Sequence, residues 1–284
     1  MKQAPFGSTG ETIAVVGQGT WQMRDATACA AALQEGIRLG MTHIDTAELY
    51  EWRGGSETML GNLLSKPARA GGTLRDHVFL ASKVWPTNGS AKGVTSSCKD
   101  SLVRLQTDRL DLYYHHWRDG PMPLAETLGA LADLRKAGWI RHIGVSNYGV
   151  SDLDEAKSIL GPGNLAANQV QYHLEDRSCE LEVLPWCRAN GVALVAYSPF
   201  GQKRWIRDRK KLAALERIAA SEGLTMRQAA LAFLTRDPAV FAIPKAESIP
   251  HVTENAGGGR PLSRAAVADL DTLFPAAGVA GDVR

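Results

Sequence analysis

The sequence predicts an α/β protein in which eight short strands alternate with amphipathic helices and close into a (β/α)8 TIM barrel. β-Branched or apolar runs recur at residues 13–16, 42–45, 78–83, 110–114, 140–145, 167–171, 192–196 and 240–244. Segments between them carry apolar residues at the 3.6-residue spacing of a helix with one buried face. Strands that alternate with helices form a parallel sheet, and eight repeats close a barrel.

The elements follow in order. Residues 2–14 set Ser8, Thr9 and Gly10 between two extended runs, which predicts a hairpin capping the barrel floor. Helices are expected at 26–39, 56–64, 94–105, 124–137, 152–160 and 181–189, stopped in three cases by Gly40, Gly138 and the pair Asn190 and Gly191. The seventh repeat carries an additional helix, 211–222, before 224–235, and a last amphipathic helix, 263–274, follows strand eight. No linker, charge block or low-complexity tract separates these pieces, so one domain over 1–284 is expected.

Bulk properties exclude several function classes. A net charge of +2 over 284 residues leaves no electrostatic footprint for nucleic acid or an anionic membrane. Cys29, Cys98, Cys179 and Cys187 form no CxxC pair and no metal-ligand cluster, so free thiols in a reducing compartment are expected. The chain opens without an apolar signal core and has no window near the ~20 apolar residues of a bilayer span. A cytoplasmic location is the expectation.

Chemistry-bearing residues gather at predicted strand ends. Asp45 and Tyr50 close the first such segment, Lys83 and Trp85 the second, and His116 and Trp117 the third. A barrel delivers catalytic groups in this way, from the ends of consecutive strands to one face. An acid, a cation beside it, a carboxylate to hold the cation and a neutral donor make a site for protonating a carbonyl oxygen. Tyrosine's ordinary pKa of ~10 is high for an acid near neutrality, and an adjacent ammonium is expected to lower it. Each residue also has a structural alternative: buried Asp–Lys pairs and strand-end aromatics occur in barrels without chemistry. His115 and His116 are adjacent, so only one can face the barrel interior. The run Gly17-Gln-Gly-Thr-Trp21 lacks the third glycine of a dinucleotide-binding fingerprint, which argues against a Rossmann domain.

That run and the three strand-end segments resemble the aldo-keto reductase family. The match continues through Gly144-Val-Ser-Asn147, Asn168-Gln-Val170, Ala196-Tyr-Ser-Pro-Phe-Gly201 and Ile243-Pro-Lys-Ala246, covering Gly17 to Asn255. The resemblance implies a monomer that uses NADP(H) without a Rossmann fold to reduce aldehydes and ketones. It selects His116 as the inward histidine and makes Asp45, Tyr50, Lys83 and His116 the catalytic set. It implies a substrate pocket walled by Trp21, Leu49, Trp85 and Trp117. Gly19 and Thr20 border the cofactor, Ser146, Asn147 and Gln169 meet the nicotinamide carboxamide, and Tyr197 stacks on its ring. Ser198, Phe200 and Gly201 reach the pyrophosphate. Lys245, Ala246, Ser248, His251, Glu254 and Asn255 wrap the adenosine end.

Two departures from the family pattern stand out. His251 aligns with the usual phosphate-binding arginine, so NADP(H) is expected with weaker binding of NAD(H) also open. Arg118 replaces a usual proline, and is either a rim cation for anionic or dicarbonyl substrates or a plain exposed arginine. The basic positions 203, 204, 207, 209, 210 and 211 read equally as a phosphate-steering patch or a solvated helix start. The leading function is NADPH-dependent reduction of small carbonyls such as methylglyoxal, at a mouth left open by short loops. The alternatives are a sugar or alcohol dehydrogenase and a nicotinamide-binding regulatory protein on the same fold. A metal-dependent hydrolase is disfavoured because the strand ends lack clustered ligands.

Overall fold

The computed structural model describes residues 1–51, 55–202 and 205–276. Strands β1 (Gln3–Pro5) and β2 (Thr12–Ala14) form an antiparallel hairpin. Eight further strands then run in one parallel sheet: β3 (Gln18–Gly19), β4 (His43–Asp45), β5 (Phe79–Val84), β6 (Leu110–His115), β7 (Ile140–Ser146), β8 (Leu165–Gln171), β9 (Ala193–Tyr197) and β10 (Val240–Ala242). Neighbours in sequence are neighbours in the sheet, and a parallel bridge from Val16 to Ala242 joins its two edges into a barrel.

The first barrel strand differs from the sequence expectation. Ile13 and Ala14 pair with Ala4 and Gln3 in the hairpin, and barrel pairing begins only at Val16. A continuous apolar run cannot show where pairing changes partner. The hairpin plugs the floor through Phe6, whose ring meets His43, Phe79 and Phe241 at 6.0, 5.2 and 5.0 Å. Gly7 makes this docking possible: its φ is +56°, and a Cβ there would lie 2.6 Å from the Gly191 carbonyl.

Helices α1 (Ala26–Arg38), α2 (Glu48–Glu51), α3 (Ser56–Leu64), α4 (Ala91–Leu105), α5 (Leu124–Lys136), α6 (Val150–Leu160) and α7 (Val183–Asn190) follow the strands in turn. Between β9 and β10 lie α8 (Arg209–Ser221) and α9 (Met226–Leu234), and α10 (Ile249–Ala256) and α11 (Arg264–Leu273) complete the described chain. Their starts have local causes: Asp25, Ser90, Asp208, Thr225 and Ser263 each accept from backbone N–H groups of the first turn. Tertiary packing selects the buried faces. In α5, Leu128, Leu131 and Leu134 are buried against the sheet, and truncating any one to alanine should cost about 2–5 kcal/mol. No helix among the described residues is long and apolar enough to cross a membrane.

The period-two alternation of the strands sorts their side chains. Phe79, Ala81, Leu112 and Tyr114 belong to one core cluster, while Ile44, Leu80, Val84 and Tyr113 pack in the other, under the helices. Lys83 is in phase with Phe79 and Ala81, and His116 with Leu112 and Tyr114. Those residues therefore share the barrel's inner face.

Candidate active site

The inward rows of β4 and β5 end in opposite charges. Asp45, on β4, is in phase with the buried His43 below it, and Lys83 stands one strand away; the two side chains are 2% and 0% exposed. They form a direct ion pair. Lys83 Nζ also donates to the Thr46 carbonyl at 2.8 Å and approaches the Tyr50 hydroxyl at 3.5 Å. Asp45 Oδ2 accepts from the Gln169 amide at 2.8 Å. Burial raises the Asp45 pKa, opposed first by the Lys83 charge. Burial likewise lowers that of Lys83, opposed first by Asp45. Each charge depends on the other to stay in a dry site.

Tyr50 comes from α2, a four-residue helix that bends the chain back over the barrel mouth after β4. Its ring lies 5.0 Å from Lys83 Nζ, 4.8 Å from the Trp21 ring and 5.8 Å from the His116 ring. The sequence led us to expect a tyrosine acidified by lysine; the structure places the Tyr50 pKa well above its ordinary value. Burial is the main cause, reinforced by the nearby Asp45 charge. Asp45 offsets the ammonium that was expected to stabilise tyrosinate. Tyr50 thus holds its proton firmly.

His116 is buried, with its Nδ1 unpartnered, and the Trp85 ring meets it edge-on at 5.2 Å. Burial first, then the Lys83 charge, holds its pKa well below 6.5, so the ring is neutral near pH 7. His115 points the other way and packs with Tyr148, bonded at 2.8 Å. Trp21 and Trp85 border the site through the Tyr50 and His116 rings, and Leu49 and Trp117 are, like them, partly buried.

A polar chain runs from the ion pair across β7, β8 and β9. Ser146 donates to the Gln169 carbonyl (2.9 Å), and Asn147 donates to the Ser146 hydroxyl (3.0 Å) and the His116 carbonyl (3.3 Å). The Tyr197 hydroxyl donates to Asn147 Oδ1 at 2.9 Å. Burial pushes the Tyr197 phenol up to about 12. Asn147, Ser198 and Gln202 have φ of +62°, +50° and +54°, and such backbone strain in non-glycine residues gathers at functional rims. Gly201, also left-handed, closes a turn onto the Ser198 carbonyl at 2.8 Å. Phe200 stacks edge-on with Trp205, and the Arg227 guanidinium lies 4.9 Å over its ring.

Several sequence-predicted residues prove to be engaged within the protein. The Thr20 hydroxyl donates to the Asp45 carbonyl at 3.1 Å. A Cβ on Gly19 would sit 2.7 Å from the Ile243 carbonyl, so barrel closure alone requires that glycine. Arg118 is tied to Asp152 and Glu155 on α6, at 3.5 and 3.2 Å. Asp208 caps α8 through the N–H groups of Lys210 and Lys211, which makes that half of the basic run a helix start. Lys203 and Arg204 lie outside the described residues.

At the head of α10, Lys245 and His251 are exposed, Ala246 and Asn255 are buried, and Ser248 makes no side-chain cap. The backbone N–H groups of Ile249 and His251, beside a lysine, are suited to an anion. Lys245, however, pairs with Glu247 at 3.0 Å, and Glu254 accepts from Thr225 at 2.7 Å.

Sequence reasoning missed Glu48, Glu57, Arg227 and Glu247. Glu57 is fully buried behind β5, where it accepts from Ser82 (2.6 Å), Ser101 (3.2 Å) and Arg104 (2.7 Å). A glutamate on an apolar helix face was the available signal for Glu57. The other three offered none without their spatial partners.

A model of the Aldo/keto reductase family matches residues 14–274. The methylglyoxal reductase YeaE of Escherichia coli is 41% identical over 93% of this chain and 92% of its own length. An NADH-specific methylglyoxal reductase from the same organism is 33% identical over 71% of this chain and 68% of its own. The crystal structure of an aldo/keto reductase from Klebsiella pneumoniae in complex with NADP and acetate superposes with a TM-score of 0.87 at 38% identity, over 97% and 96% of the two chains. The barrel, its charged mouth and these likenesses agree: the chain belongs to the aldo/keto reductase family.

Proposed function

We propose that this protein reduces the carbonyl group of small aldehydes or ketones with NADPH, and that Tyr50 is the general acid. The observation that carries the reading is the convergence of Tyr50, whose hydroxyl lies 3.5 Å from Lys83 Nζ, the buried Asp45–Lys83 pair and a neutral His116 beside aromatic rings. When bound, NADPH supplies hydride to the carbonyl carbon. Negative charge then develops on oxygen, and a preorganised pair of donors there lowers the barrier. Tyr50 gives its proton to that oxygen, and the His116 N–H orients it. Lys83, 3.5 Å from the hydroxyl, is the cation beside the tyrosinate left behind, and Asp45 keeps it in place at the cost of part of its charge effect.

The remaining residues fit the cofactor. Ser146, Asn147 and Gln169 offer amide and hydroxyl partners for the carboxamide, and Tyr197 a ring face for stacking. Ser198, Phe200 and Gly201 suit the pyrophosphate, and Gly19 and Thr20 border the cofactor. The uncapped start of α10 with Lys245, Ala246, Ser248, His251, Glu254 and Asn255 suits the adenosine end. Glu247 beside Lys245 weakens any preference for the 2′-phosphate, and NADH is accepted more weakly. Trp21, Leu49, Trp85 and Trp117 wall the substrate pocket. The reading includes one barrel domain over 1–284 acting as a cytoplasmic monomer.

The activities named for the relatives make methylglyoxal the first compound to try in a carbonyl panel followed by NADPH absorbance. Tyr50→Phe should lower kcat by about 10²–10⁴-fold while leaving NADPH binding intact. A Tyr50→Phe enzyme that keeps a tenth of wild-type kcat overturns the assignment.

A further inference from the structure

Glu48 lies two residues before Tyr50, yet it is only 4% exposed. Its Oε1 accepts from the Trp85 backbone N–H at 2.5 Å and the Asn88 side-chain amide at 3.0 Å. Both donors belong to the segment after β5, where Trp85 leads into the short 3-10 turn Pro86–Asn88. One buried carboxylate therefore ties the turn that carries Tyr50 to the turn that carries Trp85. Trp85 in turn meets the His116 ring at 5.2 Å and 89°, and Tyr50 meets the other side of the site at 5.8 Å from His116.

Taking a carboxylate out of water is costly, and neutral donors repay it poorly. An apolar side chain would fill the same space more cheaply. What a carboxylate adds is a short, charge-assisted hydrogen bond that holds its donors more narrowly than an amide or a methyl group could. We propose that Glu48 is a positioning residue: by fixing Trp85 against His116, it sets the separation of His116 and Tyr50, the two groups that meet the carbonyl oxygen. The proposal rests on the reduction reading above. Glu48 touches neither substrate nor cofactor, so its effect should fall on kcat and leave cofactor affinity alone.

The experiment compares Glu48→Ala, Glu48→Gln, Asn88→Ala and the double variant Glu48→Ala/Asn88→Ala, with Tyr50→Phe in parallel. The readouts are kcat and KM for methylglyoxal and NADPH Kd by fluorescence. Misplacing a reacting group by about 1 Å costs up to about 10²-fold, so Glu48→Ala should lose about tenfold or more in kcat. KM and NADPH Kd should move by less than about threefold, because no ground-state contact is removed. Glu48→Gln keeps an acceptor at the same place but not its charge, so it should recover only part of the loss. Asn88→Ala should lower kcat modestly alone and add nothing to Glu48→Ala, since both break one link. Wild-type kcat in Glu48→Ala, equal impairment of the Gln and Ala variants, or full additivity with Asn88→Ala would each overturn the proposal. If Tyr50→Phe stays active, the reduction reading fails first; if it is inactive while Glu48→Ala matches wild type, only the Glu48 proposal fails.

Discussion

Lys83→Met removes the ammonium that faces Asp45 and leaves the Gln169 amide as that carboxylate's remaining side-chain donor among the described residues. Breaking one half of a buried ion pair typically costs about 3–5 kcal/mol. Here the loss should depend on pH in a defined direction. Burial already raises the Asp45 pKa, and the Lys83 charge and hydrogen bond are the leading forces that oppose it. Without them the folded variant holds a proton on Asp45 at pH values where the unfolded chain, near 3.9, has released it. A group whose folded pKa lies above its unfolded value loses stabilising power as pH rises. The variant should therefore lose about 1.4 kcal/mol per pH unit from about pH 5 upward, until Asp45 ionises. Urea denaturation of wild type and variant at a series of pH values from 5 to 8 measures the slope. Replacing both partners, as Lys83→Met with Asp45→Asn, should restore most of the stability but none of the activity. A loss below about 1 kcal/mol at the alkaline end, or one independent of pH, would show that the pair is not the dry, mutually dependent unit described.

Further expectations follow from the same geometry. His43 is fully buried with both ring nitrogens unpartnered, and burial, then the Lys83 charge, hold its pKa at about 3. Because that folded value is depressed from 6.5, the neutral ring's contribution is complete above pH 6.5 and lost as pH falls toward 3, about 5 kcal/mol in all. His43→Leu should flatten stability over that window, and an unchanged acid profile in denaturant titrations would count against it. His251→Arg, or Glu247→Gln, which frees Lys245, should tighten NADPH binding by about 1–2 kcal/mol and leave NADH unmoved. Equal gains for both cofactors in fluorescence titrations would place these residues away from the 2′-phosphate.

Much of the site was legible because it is periodic. Lys83 and His116 fall on the inner face by simple alternation with Phe79, Ala81, Leu112 and Tyr114, and Asp45 closes a strand whose inward row begins at His43. Strand periodicity is local, so a linear sequence carries it in full. The longer helices were legible for the same reason, and their caps at Asp25, Ser90 and Thr225 sharpen starts that periodicity alone leaves loose; the short α2 and α10 were not expected. The sequence by itself thus determined the barrel and the strand-end placement of Asp45, Lys83 and His116, while Tyr50 sits on the short helix α2.

Only the tertiary structure decided what those groups experience. The sequence contains the Lys83 and Tyr50 that argued for an acidic phenol, but the balance of burial, Asp45 and Lys83 depends on depths and distances set by the whole barrel. Arg118 and Lys245 looked available for ligands until Asp152, Glu155 and Glu247 were found beside them. The break in the first strand turned on whether Ile13 met Ala4 or the barrel edge, a choice between two partners equally apolar. Glu48 shows the limit most plainly, since its role lies in donors about forty residues away in the chain. Spacing along the chain reports which face a residue takes. Charge, hydrogen bonding and desolvation are pairwise in space, and folding alone assigns the pairs.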